Sequence, residues 1–270
     1  MAREKRIRLD QLMVERGIVE SREKAKALIM AGKVFVNGEK VTKASKTFPC
    51  DAVVTIEEGE RYVSRGGYKI ESAFEQLPVS VEGKVACDIG ASTGGFTDFL
   101  LQRGAKRVYA VDVGHGQLHW KLRRDERVVP LEGVNARYLR WQDLGEKVDF
   151  VTCDVSFISV KKILPSIYDI LKDDGEALIL VKPQFEAPRG SAKKGVVRDF
   201  AIHAEVLKDI HRALIDSGFT VKGCVFSKLK GTSGNVEYFF WVKKGKGPSE
   251  EIDFERIVKG AKDFFGELEE

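Results

Sequence analysis

A chain of 270 residues is long enough for one large domain and one smaller one, each with its own core. Its 45 Lys and Arg nearly balance 41 Asp and Glu, so the net charge of +4 alone says little. Residues 1–46, however, hold 12 basic and 6 acidic side chains, whereas residues 247–270 hold 3 and 8, and a basic front end suits nucleic acid, although an exposed helical face would look similar. Four scattered cysteines, with no C-x-x-C pair and no histidine at ligand spacing, exclude a disulfide framework and a structural zinc site. No apolar run exceeds strand length, and the first residues lack a signal-type apolar stretch. The expectation is a cytoplasmic monomer that needs neither membrane nor metal.

Leu9, Leu12, Met13 and Val14 space a short amphipathic helix that breaks at Gly17; Ser21 caps a second, with Ala25, Leu28 and Ile29 on one face and Gly32 at its end. Val34–Val36 and Val41 flank Asn37-Gly38, a two-residue hairpin signal, and Val53–Ile56 reads as a further strand. Arg3, Lys5, Lys24 and their basic neighbours decorate this module. Through Ser21-Arg22, Gly32 and Val36-Asn37-Gly38, the stretch RLDQLMVERGIVESREKAKALIMAGKVFVNGEKV resembles the S4 RNA-binding domain. The resemblance implies a small α+β domain over residues 1–59 that binds structured RNA, with Arg6, Arg8, Arg22, Lys26 and Lys33 as phosphate contacts. Such contacts give affinity and salt dependence rather than sequence choice. Residues 60–64 read as a linker, and Arg65, just beyond it, is a further candidate RNA contact.

From residue 65 to 270 the pattern changes. Arg65-Gly66-Gly67 opens a helix expected over Tyr68–Leu77, with Lys69 near its start, where the helix dipole disfavours a cation. That is a poor place for a structural lysine and a useful one for a lysine facing an anionic backbone. An apolar strand then ends in Asp88-Ile89, gives way to a turn bearing Gly90, Gly94 and Gly95, and leads into the helical Phe96, Phe99, Leu100 and Leu101. Such a unit offers close backbone approach and free N–H groups to a ligand. A second strand, Arg107–Val111, ends in Asp112, where an acid can hold the two hydroxyls of a ribose.

No Gly-Lys-Ser/Thr follows the turn, which argues against a nucleoside triphosphate, and Gly90, Ser92 and Gly95 depart from the dinucleotide pattern. Asp88 would repel a diphosphate but suits an amino-bearing ligand such as S-adenosylmethionine. Another Rossmann use, or a glycine turn made for packing alone, stays open on these residues. For S-adenosylmethionine, Asp88 and the backbone of Gly90, Ala91, Ser92, Thr93, Gly94, Gly95 and Phe96 would meet the methionine part. Asp112 would meet the ribose, with Val113 and Gly114 alongside, and Asn135 the adenine amino group.

Further strands are expected at Val128–Leu131, Phe150–Cys153, Ala177–Val181, Val221–Phe226 and Glu237–Val242. Helices run through Ile163 to Leu171, stopped by Asp173-Asp174-Gly175, and over Ile202–Leu214. The tail, with Phe254, Val258 and Phe265 among acids, reads as a helix on the sheet, without a role. Alternation of this kind predicts a mostly parallel Rossmann-like α/β sheet covered on both faces, with ligands at the carboxyl ends of its strands. Asp88, Asp112, Asp154 and Lys182 fall at those ends, and Glu237, opening an antiparallel last strand, falls at the same rim. Taken alone, this convergence could also be a structural salt-bridge network.

In order and context, Lys69, Asp154, Lys182 and Glu237 resemble the Lys-Asp-Lys-Glu tetrad of the FtsJ-type RNA ribose 2′-O-methyltransferases. With an S4 module in front, the chain from Arg6 to about Lys244 resembles the TlyA family through SRGGYK, DIGASTGGFTD, CDVSFIS, LVKPQFE and GNVEYF. The resemblance implies methylation of the cytidine 2′-hydroxyl in ribosomal RNA or ribosomal subunits, with S-adenosylmethionine bound by the turn and bordered by Asp154. A ribose hydroxyl is a weak nucleophile that needs a positioned acceptor and an in-line approach. A free lysine, with pKa about 10.4, is protonated at neutral pH; burial and a second cation work against the charged form. The expected roles are Lys182 on the hydroxyl, Lys69 beside it and on a nearby phosphate, and Asp154 and Glu237 fixing the two lysines. A base N-methyltransferase would carry prolines after Asp154, and a cytosine C5 enzyme a loop cysteine where Cys153 sits in a strand. A non-catalytic S4-type assembly factor would not need the tetrad. A membrane-lytic role has no spanning or strongly amphipathic cationic segment behind it.

Overall fold

Two hydrophobic patterns, one short and hairpin-rich and one alternating strand with helix, fold as two units, Met1–Arg61 and Tyr62–Glu270. The structure, a computed structural model, describes residues 6–57 and 60–267. Arg3, Lys5 and the residues Glu58-Gly59 lie outside the described residues.

The first unit runs β1 (Arg6–Arg8), α1 (Leu9–Glu15), α2 (Arg22–Met30), β2 (Val34–Val36), β3 (Glu39–Val41), β4 (Thr47–Pro49) and β5 (Val54–Ile56). Ser21 caps α2 by accepting from the Lys24 N–H, which satisfies an otherwise orphan donor. Asn37 and Gly38 both take positive φ, +51° and +83°, as a two-residue turn between β2 and β3 requires. β1 pairs with β4, and β2 with both β3 and β5, all antiparallel. These pairings make a two-stranded and a three-stranded sheet, and Leu9, Met13, Ala25 and Ile29 form a small separate core with Val34, Val36 and Val41.

The second unit starts earlier than the sequence suggests. Tyr62 is buried edge-on against Tyr68 and beside Phe99, and the Val63 N–H donates to the Asp98 carboxylate at 2.8 Å. Tyr62 to Ser64, expected as linker, therefore belong to this unit, because an aromatic ring with a core to enter does not span solvent. The order continues as α3 (Arg65–Phe74), β6 (Val85–Ile89), α4 (Gly95–Gln102), β7 (Arg107–Asp112), α5 (Trp120–Arg123), β8 (Val128–Glu132), α6 (Trp141–Leu144) and β9 (Val148–Cys153). It ends with α7 (Leu164–Ile170), β10 (Leu171–Val181), α8 (Pro183–Glu186), α9 (Phe200–Asp216), β11 (Phe219–Phe226), β12 (Tyr238–Lys244) and α10 (Phe254–Glu267).

Among the described residues, seven strands form one sheet in the order β11-β12-β10-β9-β6-β7-β8. β6 to β10 run parallel, and β12 lies antiparallel between β10 and β11. The central strands are buried on both faces, with one core around Val151, Ile179 and Phe240 and another around Phe99, Phe150 and Phe239. Asp173-Asp174-Gly175 does not stop a helix, as expected, but lies inside β10. α7 has already ended at Ile170, and Asp174, at φ +61°, makes an irregularity in the β10–β9 register between Leu171 and Glu176. α10 packs on α9 and β11 through Phe254, Val258 and Phe265, as its periodicity predicts.

Candidate active site

Five parallel strands bring their carboxyl ends to one rim, and the crossing from β6 to α4 makes the central turn. Gly90, at φ +82°, is the point of closest approach: an added Cβ would collide with the Asp154 carbonyl. The N–H groups of Gly90 and Ala91 both donate to the Val111 carbonyl, and the Ser92 N–H donates to Asp112 at 2.8 Å, so the turn is tied to the end of β7. A Cβ at Gly95 would strike the backbone of Gly66 and Gly67, so this glycine is needed where α3 and α4 meet.

A cavity of about 640 Å³ opens on this turn. Gly90, Ala91, Ser92, Thr93, Gly95 and Phe96 line one part of it; Gly94 instead backs onto Leu118 and Leu122. The other part holds all four residues singled out by sequence. Lys182, 8% exposed, pairs with Asp154 at 2.5 Å and donates to the Ser156 hydroxyl at 2.8 Å. Lys69 donates to Glu237, 2% exposed, at 2.7 Å. Two cation–carboxylate pairs from four different elements thus share one chamber. The buried side-chain oxygen of Gln184 at the same wall accepts no hydrogen bond among the described residues, which leaves an acceptor for a polar ligand.

A second space of about 480 Å³ shares Gly90, Ser92, Asp154, Ser156 and Phe157 with the first, so the two form one trough. Asp112, Val113 and Asn135 line it, together with the apolar Val134 and Ile163. Asp112 accepts from Ser92 with one oxygen and from Gly114 with the other, and each oxygen keeps a lone pair for a further donor. Gly114 serves through this bond rather than as part of the wall. Asn135 accepts from the Arg137 N–H with its side-chain oxygen, which keeps a second lone pair for an amino group of a ligand. The trough fits S-adenosylmethionine, with a diol-binding acid and apolar walls at one end and a glycine turn with polar groups at the other.

Asp88 corrects the sequence reading. It is fully buried, outside both lining sets, and its oxygens accept from the Thr97 and Thr152 hydroxyls at 2.7 and 2.8 Å. Burial pushes its pKa up to about 6 against those two hydrogen bonds. It braces the strand end under the turn instead of meeting a ligand. Cys153 is also fully buried, and burial pushes its thiol well above the usual range, which removes it as a nucleophile. Among the described residues no cluster of three His, Cys, Asp or Glu side chains could hold a metal.

Two features went unassigned by sequence. Ser156 was visible within CDVSFIS, but only the fold brings it to Lys182. Phe157, 91% exposed at φ +64°, stands 5.2 Å from Phe185 at the cavity mouth. A bulky residue held in the left-handed region and in water is costly, and such strain collects at working sites.

In the first unit, Arg8 and Arg22 converge on the fully buried Asp10, Arg8 through two hydrogen bonds and Arg22 through one of 2.7 Å. Arg6 donates to the Thr47 carbonyl and is exposed, as is Lys26, while Lys33 is half-buried. Arg65, in the second unit, is exposed, lines the 640 Å³ cavity and donates to the Lys230 carbonyl.

Sheet order, glycine turn and diol-binding acid together define an S-adenosylmethionine-dependent methyltransferase. The sequence pattern of the FtsJ-like methyltransferases matches residues 62–244, and that of the S4 domain residues 7–49. A Bacillus subtilis protein provisionally named rRNA methyltransferase YqxC is 47% identical over 95% of this chain and 94% of its own. The 16S/23S rRNA (cytidine-2′-O)-methyltransferase TlyA of Mycobacterium tuberculosis is 43% identical over 88% of this chain and 90% of its own. A solved structure from Streptococcus thermophilus, provisionally named a hemolysin, aligns with TM-score 0.76 at 43% identity over 98% of this chain and 99% of that one. The chain belongs to the TlyA family of FtsJ-like methyltransferases and carries an S4 domain in front. Among the described residues no helix is long and apolar enough to cross a membrane.

Proposed function

We propose that this protein methylates the ribose 2′-hydroxyl of cytidine in ribosomal RNA, free or within a ribosomal subunit, working as a monomer without a metal. The observation that carries the reading is the two partly buried ion pairs, Lys182–Asp154 and Lys69–Glu237, in the chamber that the cofactor turn opens into. S-adenosylmethionine, bound along the trough, supplies an electrophilic methyl group. The chain supplies position: Asp154 and Ser156 fix the Lys182 side chain, which holds the 2′-hydroxyl in line. As the C–O bond forms, the hydroxyl proton passes to Lys182 while the ammonium proton already shared with Asp154 moves onto that carboxylate. Glu237 holds Lys69 for the neighbouring phosphate. Asp112 takes the cofactor's ribose, Asn135 its adenine amino group, and the backbone from Gly90 to Phe96 its methionine part.

Phe157 and Phe185 offer the cytosine ring a stacking platform outside the duplex, where a base must lie for its ribose to enter the chamber. The S4 domain supplies affinity for folded RNA, with Arg6, Arg8, Arg22, Lys26 and Lys33 on phosphates and Arg65 adding charge at the catalytic mouth. The relative from M. tuberculosis, named for cytidine-2′-O methylation, supports both the atom and the base. Lys182→Met tests the assignment. Methyl transfer should fall at least about a thousandfold, with the S-adenosylmethionine dissociation constant within about twofold of wild type. Full activity in that variant would remove Lys182 from the mechanism.

A further inference from the structure

We propose that a separate basic cavity beside the active site binds a nucleotide flanking the methylated one on the same RNA strand; the proposal rests on the ribose-methylation reading. The cavity measures about 460 Å³ and adjoins the catalytic chamber, since Lys230 and Ser233 line both. Its floor is apolar, with Phe200, Val236 and Phe265, and its rim carries the cations Arg198, Lys230 and Lys262, with no carboxylate among its lining residues. An aromatic floor under a cationic rim matches a single-stranded nucleotide, whose base stacks while its phosphate meets the charges.

The wall between the two spaces is fixed by buried polar side chains. Asn235, 1% exposed, donates to the Gly195 carbonyl at 2.9 Å and accepts from the Val197 N–H at 3.0 Å. His203, equally buried, bonds the Val197 carbonyl through Nε2 and the Tyr238 hydroxyl through Nδ1, both at 2.9 Å. Two loops are thereby stitched together beside the chamber, because separating them would strand these groups without partners. Lys230 lies 4.9 Å from the centre of the Phe265 ring, which places a cation at the boundary of the two spaces. Phe265 and Lys262 come from α10, so the C-terminal helix completes an RNA-binding wall.

The test is the double variant Arg198→Ala/Lys262→Ala in the full-length protein. Both side chains are exposed and neither lines the catalytic trough. Methyl transfer to ribosomal RNA is measured at several salt concentrations, together with equilibrium RNA binding and S-adenosylmethionine binding. The cavity predicts a KM for RNA raised about tenfold with kcat within about twofold, and cofactor affinity unchanged. It also predicts a salt slope of RNA binding shallower by about 1.4, two single-strand contacts at about 0.7 each. Lys262→Glu alone should raise KM by at least as much. An active double variant with wild-type KM and salt slope overturns the cavity while leaving the methyltransferase reading intact. A parallel loss of cofactor affinity overturns it too, because the damage would then be to the fold. Absence of transfer by the unmutated protein to any RNA defeats the underlying reading instead.

Discussion

Asp88 and Asp10 are both fully buried carboxylates, and their surroundings shift them in opposite directions. Burial raises Asp88 to about 6 from an unfolded 3.8, so the folded state holds its proton longer than the unfolded chain does. Its contribution is therefore fully present below about pH 4 and is lost as pH rises to about 6, a fall of about 3 kcal/mol in stability over that window. Asp88→Asn should flatten this segment in urea unfolding followed by tryptophan fluorescence, which reports the second unit because Trp120, Trp141 and Trp241 all lie there. Asp10 is held at about 2, first by the Arg8 hydrogen bonds and then by Arg22, against the opposing effect of burial. Its folded value is depressed, so its contribution is present above about pH 4 and lost as pH falls toward 2. Amide exchange of the first unit should lose protection over that range in wild type and show no such step in Asp10→Asn. Lys182, Asp154 and Glu237 were readable as candidates because strand ends share a rim. The burial of Asp88 was not, since its Thr152 partner comes from another strand, 64 residues away.

At the scale of elements, the cofactor turn depends on one close approach. Gly90→Ala forces either the turn or the β9 end to move, because the new Cβ meets a backbone carbonyl at positive φ. S-adenosylmethionine affinity should fall by more than about tenfold in equilibrium binding, and unchanged affinity would mean that the turn does not carry the cofactor. The turn, the Ser21 cap and the Asn37-Gly38 hairpin were legible because each is set by local backbone chemistry. The early start of β10 was hidden by Asp173-Asp174-Gly175, which reads locally as a stop and is instead absorbed as a register irregularity between two strands. Tyr62 was hidden for a similar reason: its place is decided by Tyr68 and Phe99, not by the polar residues before it.

At the scale of the whole molecule, one chain joins a unit with the sequence and fold of an RNA-binding domain to a methyltransferase unit. If the first unit supplies phosphate contacts, Arg22→Ala should make the salt dependence of RNA binding shallower by about 1 while leaving S-adenosylmethionine affinity unchanged. An unaltered slope would assign Arg22 to the Asp10 ion pair alone. The class of chemistry was readable from the tetrad and the turn; the place of Phe157 at the cavity mouth, where we propose a base platform, was not, because an exposed phenylalanine announces itself only once the backbone puts it there. The most direct test of the account is transfer of labelled methyl groups from S-adenosylmethionine to ribosomal RNA and to intact subunits, followed by nuclease digestion and nucleoside mass analysis. The account predicts 2′-O-methylcytidine as the labelled product. Label on a nucleobase, or S-adenosylmethionine binding with no transfer to any ribosomal RNA or subunit, would contradict it.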